Sequence, residues 1–458
     1  MKKLLYLLFS FLPVVVSAQF NLYKDSPLDY AWVNVGNAGF SDDLAFQTSL
    51  AFSPSGQPYV AFSDYANSRK ATVMKFDGTN WVNVGSAGFS DSEADYISFG
   101  FSPAGQPYVA YQDYINSEKA TVMKFNGTNW VNVGNANFTA NGASFISLAF
   151  SPSGEPYVVY QDYGNSYKAT VMKFDGTNWV EVGTAGFSAG MVYFTSLAFS
   201  QSGEPYVAYT DGGNSNRATV MKFDETSWVD VGTAGFSDGE AQYTSLAFNL
   251  IDGQPYVAYN DVADSQKATV MKFDGTSWAY VGNAGFSAGQ AVWISLAFSP
   301  SDSQPYVAYG DYDEFSTKAT VMKFDGTNWV YVGNEGFSAG DAPYTSLAFS
   351  ASGQPYVAYS DFGNSQKATV MYYDAPAGIS ELQSSRILLY PNPTSTSITL
   401  ETPAIGHLSI LNLNGQQLIT RPITEPKTQI DISSLPGGVY FVRVTNEKTV
   451  EVGKFVKK

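Results

Sequence analysis

The chain has 458 residues, a formal net charge of −16, one histidine (His407) and no cysteine. Without cysteine there are no disulfides, thiol nucleophiles or Cys metal sites, and one histidine lying outside the repeats leaves no Ser-His-Asp triad or His-rich zinc site in the body of the chain. Residues 20–375 carry 15 Lys/Arg against 35 Asp/Glu, which repels phosphate backbones, so neither nucleic acid nor an anionic membrane surface is expected as a partner.

Residues 1–18 read as a secretory signal. Lys2 and Lys3 precede an apolar run from Leu4 to Val16, and small residues lead to a cleavage point between Ala18 and Gln19. The run is too short for an ordinary spanning helix, and no other stretch is apolar enough, so no transmembrane segment is expected in the mature form.

From Tyr30 to Asp374 the chain repeats one unit, seen whole at Ser49 to Trp81. The Trp that closes each unit falls at Trp32, Trp81, Trp130, Trp179, Trp228, Trp278 and Trp329. An all-strand repeat of about 50 residues predicts a β-propeller. Each unit reads as four antiparallel strands, in the first case Thr48–Ser53, Pro58–Ser63, Lys70–Phe76 and Trp81–Gly85. Leu50 and Phe52 alternate with Ser49, Ala51 and Ser53, giving one bulky and one small face for packing at a crowded axis. Asp77-Gly78 is a hairpin signal.

The body begins with a Trp strand that lacks its partners and ends with a unit that lacks its Trp strand. The two fragments complete each other, so the N-terminal strand is expected to close the last of seven blades and leave no open sheet edge. The expected architecture is all-β: a seven-bladed propeller over 30–374, a linker over 375–385 and a further domain over 386–458.

Comparing the repeats with one another locates the variation. The connections between second and third strands (YANSR, YINSE, YGNSY, GGNSN, VADSQ, YDEFST, FGNSQ) and the stretches before each first strand differ, while the other two turns barely change. In a four-strand meander the variable segments emerge on one side, where loops on a rigid scaffold carry binding. Two features stand there. An aromatic precedes the first-strand Ser by two residues in six blades: Tyr96, Phe145, Phe194, Tyr243, Trp293 and Tyr344; the first blade has Gln47. These rings are suited either to stacking on sugars or to filling the gaps between blades. An Asp ends every second strand: Asp64, Asp113, Asp162, Asp211, Asp261, Asp311 and Asp361. Each faces a Lys or Arg across the hairpin, as Asp64 faces Lys70, which predicts an ion pair; the alternative is a carboxylate that accepts sugar hydroxyls or binds calcium.

All basic residues of 20–375 except Lys24 and Arg69 fall on repeated third-strand positions. The variable face therefore suits neutral or cation-bridged ligands better than phosphate, sulfate or uronate. With short Trp-Val-x-Val-Gly strands in units of this length, the layout resembles bacterial seven-bladed propeller lectins.

The last motifs are Leu389-Tyr-Pro-Asn-Pro-Thr394, Leu411-Asn-Leu-Asn-Gly415, Ile430-Asp-Ile-Ser-Ser-Leu-Pro-Gly-Gly-Val-Tyr-Phe-Val-Arg-Val444 and Lys454-Phe-Val-Lys-Lys458. Together they resemble the type A C-terminal sorting domain of the type IX secretion system. The resemblance implies a small Ig-like β-sandwich, recognised by the export machinery, and a location at the outer cell surface or in the medium, reached through the periplasm.

The function expected is a non-catalytic, lectin- or adhesin-like propeller that binds a glycan or another surface macromolecule, with no catalytic residues, no metal site and no cofactor beyond the calcium alternative. One alternative is a glycoside hydrolase or polysaccharide lyase, for which carboxylates are plentiful and the sixth blade, with Asp313-Glu314 and the longest loop, is the irregular place. The other is a protein-interaction scaffold.

Overall fold

The computed structural model describes residues 31–374, 388–402, 406–412, 416–445 and 450–458. The signal segment with Ala18 and Gln19, and the linker 375–385, lie outside the described residues. Two compact units divide after Asp374, and each is all-β.

The first unit is built of seven four-stranded antiparallel sheets, the repeated meander of a propeller. In the first complete sheet the strands are Ala45–Phe52, Pro58–Asp64, Lys70–Phe76 and Trp81–Asn83. The third matches expectation. The first begins three residues earlier than expected, because the strand carries a β-bulge: Phe46 pairs with Ser63, and regular pairing resumes only at Ser49 with Ala61. The fourth is shorter, since the following glycine takes a positive φ and is pressed by rings of the next sheet. At Gly134 (φ 70°) an added Cβ would lie 2.8 Å from Phe174. The hairpin between third and fourth strands is fixed by Asp77, whose Oδ1 accepts the Thr79 and Asn80 N–H groups, each at 2.8 Å.

The last sheet runs Ala31–Asn34, Lys367–Asp374, Pro355–Asp361, Ser346–Phe349. Its outer strand is the N-terminal one, with Trp32 opposite Tyr373. The split repeat is thus joined as its two fragments require.

Neighbouring sheets are tied at two radii. Near the axis, the first-strand Ser hydroxyl accepts a backbone N–H from the next sheet, as in Leu148 to Ser98 (3.0 Å) and Leu197 to Ser147 (3.1 Å). Leu50 to Ser346, at 3.0 Å, closes the circle. Farther out, each Trp indole N–H donates to a Val carbonyl just past the fourth strand of the preceding sheet: Trp179 to Val133 at 2.7 Å, and at the seam Trp32 to Val332 at 2.8 Å. Each indole also stacks on a Phe of that neighbour, for example Trp179 on Phe138 with centroids 4.2 Å apart. Between the two rings of bonds, Leu50, Val60 and Phe62 of one sheet bury against Ala358, Ala368 and Val370 of another. The bulky face meets the small one, as the alternation in the first strand implies.

The second unit has a three-stranded sheet (Leu388–Tyr390, Ser397–Glu401, Lys427–Asp431) and a four-stranded sheet (Gln417–Ile423, Gly406–Leu411, Gly438–Thr445, Val450–Lys457). One core, including Ile398, Leu400, Ile410, Val442 and Phe455, joins them. The first and last motifs meet: Asn392 donates to the Lys454 carbonyl at 3.0 Å and accepts the Val456 N–H at 2.9 Å.

Trp179→Phe keeps an aromatic stack on Phe138 but leaves the Val133 carbonyl without its buried donor. The expected loss is about 1–3 kcal/mol of stability, read as a lowered Tm in a thermal melt of the full chain.

Candidate binding face

The two variable stretches lie side by side at one end of the sheets, bonded by their backbones. Tyr65 N–H donates to the Leu44 carbonyl at 3.0 Å, and Ala94 N–H to the Arg69 carbonyl at 2.9 Å. In five of the seven connections between second and third strands a single 3₁₀ turn forms, from Tyr65–Asn67 to Phe362–Asn364.

Each Asp that ends a second strand is buried. The ion pair expected between Asp64 and Lys70 does not hold the hairpin, although the two are opposite in register. The Asp64 carboxylate caps the 3₁₀ turn instead, accepting the Ala66 N–H (3.1 Å), the Asn67 amide (2.9 Å) and the Thr72 hydroxyl (2.7 Å). Short neutral donors satisfy a buried carboxylate without stripping water from a lysine ammonium. Asp162, Asp211 and Asp361 repeat this set of partners. Asp113 takes the Ser92 hydroxyl and Asn116, and Asp261 takes the Ala263 N–H with Asp264 where the Asn usually stands. Carboxylates bonded inward in this way do not fit a calcium ion, and among the described residues no three His, Asp or Glu side chains gather as metal ligands.

The aromatic positions are brought together. Tyr96, Phe145, Phe194, Tyr243, Trp293 and Tyr344, with Gln47, line one cavity of about 330 Å³. Successive rings touch: Tyr96–Phe145 at 5.1 Å, Phe145–Phe194 at 5.2 Å, Phe194–Tyr243 at 4.6 Å and Trp293–Tyr344 at 5.6 Å between centroids. The position therefore does both things weighed for it: each ring packs on its neighbour and also walls an open space.

In six of the seven sheets the position falls in the bulge of the first strand. All seven residues at this position have φ between 50° and 61°, which no glycine relieves. That left-handed geometry is unfavourable for bulky residues, and its recurrence at a cavity wall is the kind of strain that marks functional positions. The backbone there is held from the neighbouring sheet. The Thr48 hydroxyl donates to the Tyr344 carbonyl at 2.6 Å, and Thr195, Thr244 and Thr345 donate likewise to Phe145, Phe194 and Trp293.

Gln47 is the polar residue in the aromatic series, and it is bonded to a charged cluster. The Gln47 amide donates to Asp95 at 3.3 Å, and Arg69 bridges Asp95 (2.7 Å) and Glu93 (2.8 Å). Of the two cations left over in the charge count, Arg69 is thus paired, and Lys24 lies outside the described residues. The cavity offers stacking surfaces around most of its circumference and hydrogen-bonding groups at the gap, the usual build of a small-ligand site.

Sequence reasoning missed an outer set of rings. Tyr65, Tyr114, Tyr312 and Phe362, each following its buried Asp, are exposed, and Phe315 is 90% exposed. The signal was present: an aromatic follows the Asp in five of seven repeats. Of the two sixth-blade carboxylates weighed for catalysis, Asp313 is engaged locally, and so are Asp341 and Asp238 among the other acidic residues. Asp313 Oδ1 accepts two turn N–H groups, from Phe315 and Ser316, each at 2.8 Å, and these bonds hold it below the usual carboxylate range. Asp341 accepts the Thr317 N–H at 2.8 Å, and Asp238 the Tyr280 hydroxyl at 2.8 Å.

The sixth blade departs from the rest. Its longer loop has no Asn and no 3₁₀ turn, and Glu335 stands where the other six units have Ala. Asp311 Oδ1 accepts the Gly289 N–H at 3.0 Å, but Oδ2 has no partner. Burial first, and then the nearby Glu335 carboxyl, push Asp311 up to about 6.

Residues 388–458 match the family described as a secretion system C-terminal sorting domain. The C-terminal unit is a sorting domain of the type IX system, and the protein is exported through the periplasm to the cell surface or the medium. Among the described residues no helix is long and apolar enough to cross a membrane. No curated protein matches the chain in sequence. Among solved structures, PorZ, an essential surface component of the type IX secretion system of Porphyromonas gingivalis, aligns at 14% identity and a TM-score of 0.49 over 91% of this chain; the chain spans only 60% of PorZ. A family 25 polysaccharide lyase, an ulvan lyase, aligns at 12% identity and a TM-score of 0.47, over 75% of this chain and 95% of its own. The six-bladed lectin of Aleuria aurantia aligns at 14% identity and a TM-score of 0.45, over 64% of this chain and 98% of its own.

Two outcomes are expected. Deleting 388–458 retains the protein in the periplasm of the producing cell, read by cell fractionation. For Asp311, a carboxyl raised in the fold binds its proton more tightly there than in the unfolded chain, so stability falls as pH rises from the ordinary Asp range through about 6. Relative to Asp311→Asn, the wild-type chain loses about 2–3 kcal/mol across that window, seen as a Tm difference that opens with rising pH.

Proposed function

We propose that the protein is a seven-bladed β-propeller over residues 30–374, preceded by a cleaved signal over 1–18. A linker over 375–385 leads to an Ig-like sorting domain over 386–458. The propeller acts as a non-catalytic, lectin-like binding protein at the cell surface, and its ligand is a neutral glycan held in the central cavity. The observation that carries this reading is the cavity wall: six aromatic rings in successive contact, with Gln47 as the polar residue of the series, its amide bonded to Asp95. Sugars present apolar C–H faces and hydroxyl edges, and an aromatic wall with a polar gap offers a partner to each.

Three further features support it. The aromatic backbones are locked by Thr hydroxyls of neighbouring sheets, so the site is formed before the ligand arrives. The Arg69 guanidinium is already bridged by two carboxylates and is not free for an anionic sugar. The exposed Tyr65, Tyr114 and Phe362 extend apolar contact outward along the same face, as a polymer longer than the cavity needs.

A glycan array with the full chain is expected to reveal neutral glycans, with binding unchanged by a chelator because no three acidic side chains gather as metal ligands among the described residues. Trp293→Ala and Tyr243→Ala are each expected to weaken binding about tenfold or more, as for a central interface residue, with an unchanged circular dichroism spectrum. A blank array, or full binding by both variants, rejects the cavity as a glycan site.

A further inference from the structure

The wall of the central cavity closes on itself. Tyr96, Phe145, Phe194, Tyr243, Trp293 and Tyr344 follow one another in contact, the widest step being Tyr243 to Trp293 at 6.4 Å between centroids. Gln47 completes the circle. Its Oε1 accepts the Ile97 N–H beside Tyr96 at 3.2 Å, and the adjacent Thr48 hydroxyl donates to the Tyr344 carbonyl at 2.6 Å. A groove open at its sides takes the middle of a chain, whereas a wall that runs all the way round admits a ligand along its axis. Size sets the second limit. An apolar cavity of about 150 Å³ holds one benzene, six heavy atoms, so a cavity of about 330 Å³ holds about a dozen, the size of one hexose.

The wall is also two-sided. Phe145 and Phe194 are neighbours and carry no polar side-chain atom. The other five positions run consecutively through Tyr243, Trp293, Tyr344, Gln47 and Tyr96, and each carries one. Gln47 is engaged with Asp95 and Ile97. The three phenol hydroxyls and the Trp293 indole N–H have no hydrogen-bond partner among the described residues, and none of the four is sealed from solvent. All seven fourth-strand Trp indoles, by contrast, donate to Val carbonyls. Unspent hydrogen-bonding groups on one arc and bare rings on the other match a single sugar residue, which has a C–H face and a hydroxyl edge.

We propose that the cavity reads chain ends: one terminal sugar residue enters along the axis, its C–H face on Phe145 and Phe194 and its hydroxyls toward Tyr243, Trp293 and Tyr344. The rest of the chain leaves over Phe46, whose ring stands edge-on to Tyr344 and to the exposed Tyr65, both at 6.4 Å between centroids. The aromatic surface is thus continuous from the wall to the outer rings. This end-on mode rests on the glycan-binding reading and narrows it from a polymer held anywhere along its length to one held by its tip.

The test is titration calorimetry of the full chain with linear neutral glycans of glucose, mannose, galactose and xylose, each as a hexamer and as a chain long enough to pass several propellers. One protein per chain is expected at both lengths, and the methyl glycoside of the terminal residue, in excess, is expected to displace the hexamer in full. Tyr243→Phe and Tyr344→Phe each remove one oxygen and keep the ring, and each is expected to weaken binding about three- to tenfold, as for one hydrogen bond. Several proteins on each long chain, no competition by the methyl glycoside, or full affinity in both variants overturns the proposal. If long chains carry several proteins and binding is still lost with Trp293→Ala, the end-on mode alone fails; if no neutral glycan binds at all, the wider reading fails with it.

Discussion

The propeller depends on one repeated contact, the indole N–H of each Trp to a Val carbonyl of the preceding sheet, backed by a Phe stacked on the same indole. Four-stranded sheets are small, and each has two faces to bury. Hydrophobic burial alone is non-directional and would let neighbouring sheets slide. The indole bond fixes the outer radius and the Ser hydroxyl fixes the inner one. Two points of attachment per junction set the angle between sheets, and a closed circle follows from repeating it. A chain without disulfides is stabilised in this way by geometry that each unit imposes on the next.

Much of this is legible in residues. The Trp spacing gives the repeat, the half-units at each end give the closure, and Leu50 and Phe52 against Ser49 and Ala51 give the packing faces. The bulge is not legible. Gln47, Tyr96 and Trp293 have nothing in common chemically that asks for a positive φ, and the geometry is imposed by pairing on both sides of the position. The residues of the cavity wall are legible as a recurring aromatic position, but their meeting is not: rings 49 to 51 residues apart come together only because the circle closes. The partners of Asp64 are not legible for a different reason. Register correctly places Lys70 opposite, but register does not rank donors, and a nearby Asn and Thr with short, stiff side chains outcompete a lysine that prefers water. The spacing of Asp64, Asn67 and Thr72 recurs in several repeats and carries that information once its meaning is known.

The scaffold also explains where difference is tolerated. The buried Asp and its partners hold the connection between second and third strands from below, so residues above it are free of structural duty. Tyr65, Gly212 and Val262 occupy the same place with no change in the turn beneath. Only the sixth blade has given up the support itself, losing the Asn and the 3₁₀ turn together, and there the buried carboxyl keeps a backbone N–H on one oxygen and no donor on the other. Near-identical units thus hold one position that is chemically unlike the rest.

The join in the last sheet has a consequence for how the chain is cut. Ala31–Asn34 lies against Lys367–Asp374, so the first and last strands of the body are immediate neighbours, and the break between them falls inside a sheet rather than between two. Every junction between sheets is covalent and made of the same parts. A circular permutant whose ends are moved to one of those junctions therefore keeps all seven sheets but exchanges a break within one sheet for a break between two. The natural cut places its loose ends where four strands hold them together, and opening the ring there means stripping a strand from a sheet rather than parting two faces.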